Sequence, residues 1–283
     1  MVIESLLFPL KAEKKPWEMF FIGFLYSTVA VFLALWIFES QASFIMVFFI
    51  VMACIPIVYN TMMLEESKDL KIDNERVLLK EHNKALSFLM FLFLGITLSS
   101  VLWYVVLPSG AVGSLFDKQT QTITDINQKI SGNVVQQFGL FSKILFNNIK
   151  VLAFSILFAF VYGAGAIFIL TWNATVIGTA IGNFIRSSIG AYASTVGIAK
   201  AGAYFQVVSL GLLRYAVHGI PEIVAYFYGG LAGGIISVAV VRHHYSSKKF
   251  ANIIMDSSEL LVIAIAFLLV AALLEVYVTP ALF

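Results

Sequence analysis

Residues 214–222 read RYAVHGIPE and set three ionisable side chains four apart: Arg214, His218 and Glu222. They lie in some of the most apolar sequence of the chain, and Glu222 is the only acid between Asp125 and Asp256. On a continuous helix the three would stack on one face. Gly219 suits the left-handed position after a helix end, and Pro221 suits the first turn of a new helix. The spacing therefore predicts a break at 218–221, with Glu222 near a positive helix N-terminus. Two chemistries fit. Ionisable groups at membrane depth carry protons or bind ions and substrates. Alternatively, Arg214, His218 and Glu222 pair with one another, or with Asn147, Asn148 or Asn173, and lock two helix ends together. This reading counts one acid in the apolar runs and no second acid for a relay, which favours the lock.

The elements that hold these residues follow from composition. The 283-residue chain is 60% hydrophobic and only 12% charged, about half the charge of a soluble domain. Apolar runs cover about Phe20–Phe38, Ser43–Met63, Ala85–Leu107, Ile144–Trp172 and Leu260–Val278, with further apolar pieces at 174–199, 203–217 and 221–241. Several approach the ~20 residues that cross a bilayer. The fold class is an all-α polytopic membrane protein with about seven crossings. A broken or re-entrant helical region is expected at 174–221, where 203–217 is too short to cross alone. The first run, with no cleavage site after it, reads as a retained helix. Three regions emerge: an N-terminal three-helix part (1–110), an extracytoplasmic loop (111–143) and a C-terminal core (144–283). Lys and Arg concentrate before the first run, in 64–84 and in 242–250. That bias places these segments and the N-terminus in the cytoplasm, with the loop and the C-terminus outside.

Other signals are weaker. Residues 64–84 are dense in both charge signs and read as a solvated helix or helical loop. Glu65–Glu66 there is similar to the paired glutamates of membrane CAAX-type proteases, but Leu70 stands where their arginine is expected. There is no H-E-x-x-H and no G-x-S-x-G, so no catalytic residue, metal or cofactor is assigned. His243–His244 beside Arg242 reads as a basic membrane-surface patch. The sequon Asn173-Ala-Thr falls at an inner helix end and reads as accidental. The lone Cys54 is a buried hydrophobe. A net charge of +2 gives no reason to expect nucleic acid. Gly178 and Gly182, Gly229 and Gly233, and Gly230 and Gly234 have G-x-x-x-G spacing, and Gly163 and Gly165 form another small patch. Such residues let helices approach closely in lipid, within the chain or across a homodimer; packing within the chain is the preferred reading.

In order along the chain stand Asn147 and Asn148, Gly163 and Gly165, Asn173 with Gly178, His218-Gly219-x-Pro221-Glu222 and Gly229–Gly234. This pattern, over about residues 145–241, resembles the stage II sporulation protein M family of integral membrane proteins, with Ala174 where a glycine is expected. The resemblance implies a non-enzymatic membrane scaffold that recruits partner proteins, since the family's namesake recruits cell-wall hydrolases. Its partners would be the bilayer and other membrane or extracytoplasmic proteins, with 108–143 as the external surface. The alternative from another class is a transporter or channel component with its site around Asn173, Arg214, His218 and Glu222.

Overall fold

A computed structural model describes residues 15–72, 74–128, 136–162, 165–191, 198–242 and 250–282. Among these residues, six segments are long and apolar enough to cross a membrane, and the first, Glu18–Asp69, holds two helices. These are α1 (Glu18–Phe38) and α2 (Ala42–Asp69), joined by a short 3-10 turn. α3 (Glu75–Val106) follows, then two short helices, α4 (Ser109–Leu115) and α5 (Asp117–Gln128). The core continues with α6 (Gln136–Tyr162), α7 (Ala166–Ala191), α8 (Ile198–Val241) and α9 (Phe250–Leu273), closed by a π-helical turn (Leu274–Val278) and α10 (Thr279–Leu282). The described secondary structure is helical throughout, and the chain is an all-α polytopic membrane protein.

Helix directions follow from side-chain register. Gly23 meets Leu92 and Ile96, and Phe32 meets Trp103, so α1 runs parallel to α3. Gly178 meets Thr97 and Ser100 while Gly182 meets Tyr104, so α7 also runs with α3. The end of α2 returns to the start of α3 through Glu65 and His82, which makes α2 antiparallel to both α1 and α3. α6 runs parallel to α8, with Leu152 at Gly229 and Ile156 at Gly233. α8 and α9 are antiparallel: Tyr228 stacks on Phe267, and His218 meets Thr279. Among the described residues, six segments are thus of membrane-spanning length, the first holding two antiparallel helices.

Several expectations need correction. The fourth apolar run is two helices, divided between Tyr162 and Ala166, and 174–191 continues α7 without interruption. Polar residues in α7 bond their own backbone instead of breaking it: Asn173 Nδ2 donates to the Ile169 carbonyl at 2.8 Å and Thr179 Oγ1 to Thr175 at 2.8 Å. The predicted break at 218–221 is absent, because α8 passes through Gly219 and Pro221 as one helix of 44 residues. α7 ends at Ala191 and α8 begins at Ile198, and 192–197 lie outside the described residues. The piece 203–217 lies in the N-terminal half of α8. At 1.5 Å per residue α8 is about 66 Å long, twice the ~30 Å hydrocarbon core.

The small residues pack within the chain. A Cβ on Gly95 would stand 2.0 Å from the Phe20 carbonyl oxygen, and one on Gly23 2.3 Å from that of Leu92. On Gly233 it would stand 2.7 Å from the Ile156 oxygen, and on Gly230 2.7 Å from Ala166. Gly234 is buried as well. The glycine seam at 229–234 is therefore filled by α6 and α7 and is not open to a second copy. Gly163 lies outside the described residues.

Candidate functional site

On α8, His218, Glu222 and Tyr226 succeed one another at four-residue spacing and share a face. The Tyr226 hydroxyl donates to Glu222 Oε1 at 2.7 Å. One turn towards the N-terminus of α8, His218 Nδ1 lies 3.2 Å from Thr279 Oγ1. The Thr279 hydroxyl has one proton and gives it to the Leu274 carbonyl at 3.1 Å, across the π-turn. His218 Nδ1–H is therefore the donor in its contact with Thr279. The antiparallel register that sets His218 against Thr279 sets Glu222 against Glu275, four residues along each strand of the pair. Glu222 and Glu275 are within electrostatic reach of each other. Glu275 stands in the last apolar run, so this second acid was present in the sequence; the count of a single membrane acid missed it. It comes from a π-turn, a local form common at functional sites.

This group lies within the apolar stretch Tyr215–Val241. Tyr215 packs beside Val101, Ile181 and Ile185, near the C-terminal end of α3. Glu222 is seven residues further along α8, about 10 Å along its axis.

The other predicted residues are dispersed. The backbone of Arg214 is in α8, but its side chain is outside the described residues, so its expected pairing with Glu222 is as well. Asn173 is engaged with its own helix. Asn147 is exposed. Asn148 is 5% exposed, and its Nδ2 has no hydrogen-bond partner.

A second polar cluster was not anticipated. The segment 64–84 is helical on both sides, as the helix alternative had it: 64–69 close α2 and 75–84 open α3, with Asn74 capping α3 by accepting from the Val77 N–H at 3.3 Å; only part of it is solvated. Glu65 and Glu66 are wholly buried, and Asp69 and His82 nearly so. His82 bridges two acids of α2: Nδ1 is 2.7 Å from Glu65 Oε2 and Nε2 is 3.1 Å from Asp69 Oδ1. The latter is an ion-pair distance without hydrogen-bond alignment, and both Asp69 oxygens lack a hydrogen-bond partner. Lys68 Nζ reaches Glu65 Oε1 at 2.6 Å, and Arg242 Nη1 at the end of α8 reaches Glu66 Oε2 at 2.9 Å. The signal was the acidic face of 65–69 facing His82 across a short turn. High charge density reads as solvent exposure, yet opposite charges on adjoining helices can bury one another.

At the other end, α4 and α5 are fastened to the membrane helices. Gln119 is fully buried. Ser43 Oγ donates to Gln119 Oε1 at 2.7 Å, and Gln119 Nε2 donates to Thr175 Oγ1 at 3.3 Å. Arg186 donates from Nη1 to the carbonyls of Tyr104 (3.0 Å) and Leu107 (2.9 Å), and from Nη2 to Ser109 Oγ (2.9 Å). It thereby satisfies carbonyls that the end of α3 leaves open.

The sequence model of the family described as stage II sporulation protein M matches residues 84–280. Comparisons with curated proteins and with solved structures gave no match. The matched region is wider than the 145–241 pattern: it begins in α3 and runs through the Glu275 turn, so it takes in both His218–Thr279 and Glu222–Glu275. Well over half of the sequence lies within it, and the chain belongs to the stage II sporulation protein M family.

Proposed function

We propose that the protein is a non-enzymatic membrane scaffold that recruits other membrane or extracytoplasmic proteins through α4 and α5. The observation that carries this reading is the buried Gln119 bridge. It joins α5 to both α2 and α7, so these two short helices form a platform fixed to the membrane core. Their outer surface is polar and open, with Gly113, Asp117, Thr120, Gln121 and Thr124 exposed. Family membership agrees with a role of this kind. The positive-inside bias puts the platform outside the cell. The test is site-specific photo-crosslinking in native membranes from position 121, with lipid-facing Phe160 as control. A discrete protein adduct at 121, absent at 160 and lost in Thr120→Trp, supports the reading; adducts to lipid alone at both positions overturn it.

A second reading is favoured by one observation. Glu275 gives Glu222 the second membrane acid that ion-coupled transport uses. In proteoliposomes, cation or proton flux abolished by Glu222→Gln in a folded protein would replace the scaffold reading.

A further inference from the structure

Asn148 is buried, and its amide Nδ2 has no hydrogen-bond partner. It shares a face of α6 with Leu152, Ser155 and Ala159. That face meets α8: Ser155 Oγ donates to the Tyr226 carbonyl at 3.5 Å, and Leu152 and Ala159 lie against Gly229 and Gly233. Because α6 and α8 run parallel, Asn148, one turn before Leu152, stands beside the turn of α8 before Gly229. That turn lies between Glu222 and Tyr226. The π-turn carrying Glu275 also touches α6, so three elements converge here.

We propose that Asn148, Glu222, Tyr226 and Glu275 line a binding site for one small, hard cation within the membrane. Every donor is oxygen: two carboxylates, a phenol and, after a half-turn of the side-chain amide, the Asn148 carbonyl. Alkali and alkaline-earth ions take such ligands. Pro221 has no N–H and so leaves the Val217 carbonyl without its helical donor, which adds an oxygen near the outer side of the site. Among the described residues no group of three or more His, Cys, Asp and Glu is placed to hold a metal. That disfavours a transition-metal centre and fits a site of two charges and neutral oxygens. Electrostatics points the same way. Two carboxylates facing each other in hydrocarbon repel, and each is costly to keep there. A cation between them offsets both costs and accounts for the partnerless end of the Asn148 amide. The site underlies the transport reading but does not depend on flux, and it is independent of the scaffold reading.

The experiment is thermal unfolding of the purified full chain in detergent at constant ionic strength. Sodium, potassium, magnesium or calcium chloride replaces choline chloride stepwise. The expected result is a saturable rise in Tm of several degrees with at least one metal ion. It is lost in Glu222→Gln and Glu275→Gln and weakened in Asn148→Leu. Asn148→Asp adds a third carboxylate and lowers the half-saturating concentration of a divalent ion at least threefold. If the Gln variants do not fold, the wild type and Asn148→Asp decide. Equal melting of those two in every chloride overturns the site, as does a rise that survives in Glu222→Gln. Crosslinking from position 121 reads the scaffold separately, so either idea can fail alone.

Discussion

Gly219→Ala separates two accounts of the RYAVHGIPE segment by sign. In the structure Gly219 is inside α8, and a Cβ built on it meets nothing within 4 Å, with φ outside the left-handed range. The substitution therefore creates no clash and loses no contact. What remains is backbone freedom: glycine in a helix interior is less stable than alanine by roughly 0.5–1 kcal/mol. At about 2–4 °C per kcal/mol for a chain approaching this size, Tm should rise by about 1–4 °C. Had the chain broken here, with Gly219 in the left-handed position, alanine would cost about 1–2 kcal/mol and Tm would fall by at least as much. Pro221→Ala gives a second reading, since it returns an N–H to the helix and should also stabilise. The assay is thermal unfolding in one detergent, followed by tryptophan fluorescence. A clear fall in Tm for Gly219→Ala refutes the continuous helix, and with it the register that sets Glu222 against Glu275.

Further outcomes follow from other contacts. His82→Ala leaves the buried Glu65 and Asp69 facing each other without the imidazole and should cost about 3–5 kcal/mol, seen as a large drop in Tm; a change under about 1 kcal/mol would mean the cluster is solvated. Gly95→Ala forces α1 away from α3 at the Phe20 carbonyl and should destabilise by at least about 1–3 kcal/mol, whereas Gly110→Ala, with open space around it, should not; equal melting of the two would contradict the α1–α3 contact. Gln119→Ala leaves Ser43 and Thr175 without their shared partner, costs about 1–3 kcal/mol, and should speed hydrogen exchange in α5; unchanged exchange would show that the fastening lies elsewhere. For orientation, an impermeant thiol reagent on intact cells, with Cys54 replaced, should label cysteine at position 114 and not at 67; the reverse pattern inverts the topology.

Much of the fold was legible because lipid imposes simple rules. Apolar length marked out the membrane-length helices. Close-packing glycines were visible by spacing, although only coordinates say which neighbour they meet. Errors arose where a local rule met tertiary context. Gly219 and Pro221 punctuate a soluble helix strongly, but a membrane helix loses one hydrogen bond at proline and keeps its course, because no water competes for the backbone. The polarity of 64–84 read as exposure because sequence does not show that α2 and α3 fold their charges together. Glu275 was a different kind of miss. It sits near the chain end in an apolar run, and only the antiparallel pairing of α9 with α8 gives it a meaning.

The unbroken course of α8 makes it a mechanical element as well as a wall of the core. Its C-terminal end is held by the Arg242–Glu66 pair, and its N-terminal half runs on from there through Pro221 to Ile198. A rod about 66 Å long that tilts by about 5° about its C-terminal end carries its tip roughly 6 Å sideways. The missing hydrogen bond at Pro221 gives that rod a soft joint close to Glu222. Any tilt about the Arg242–Glu66 end would thus be felt most at the far end of the rod, near Ile198.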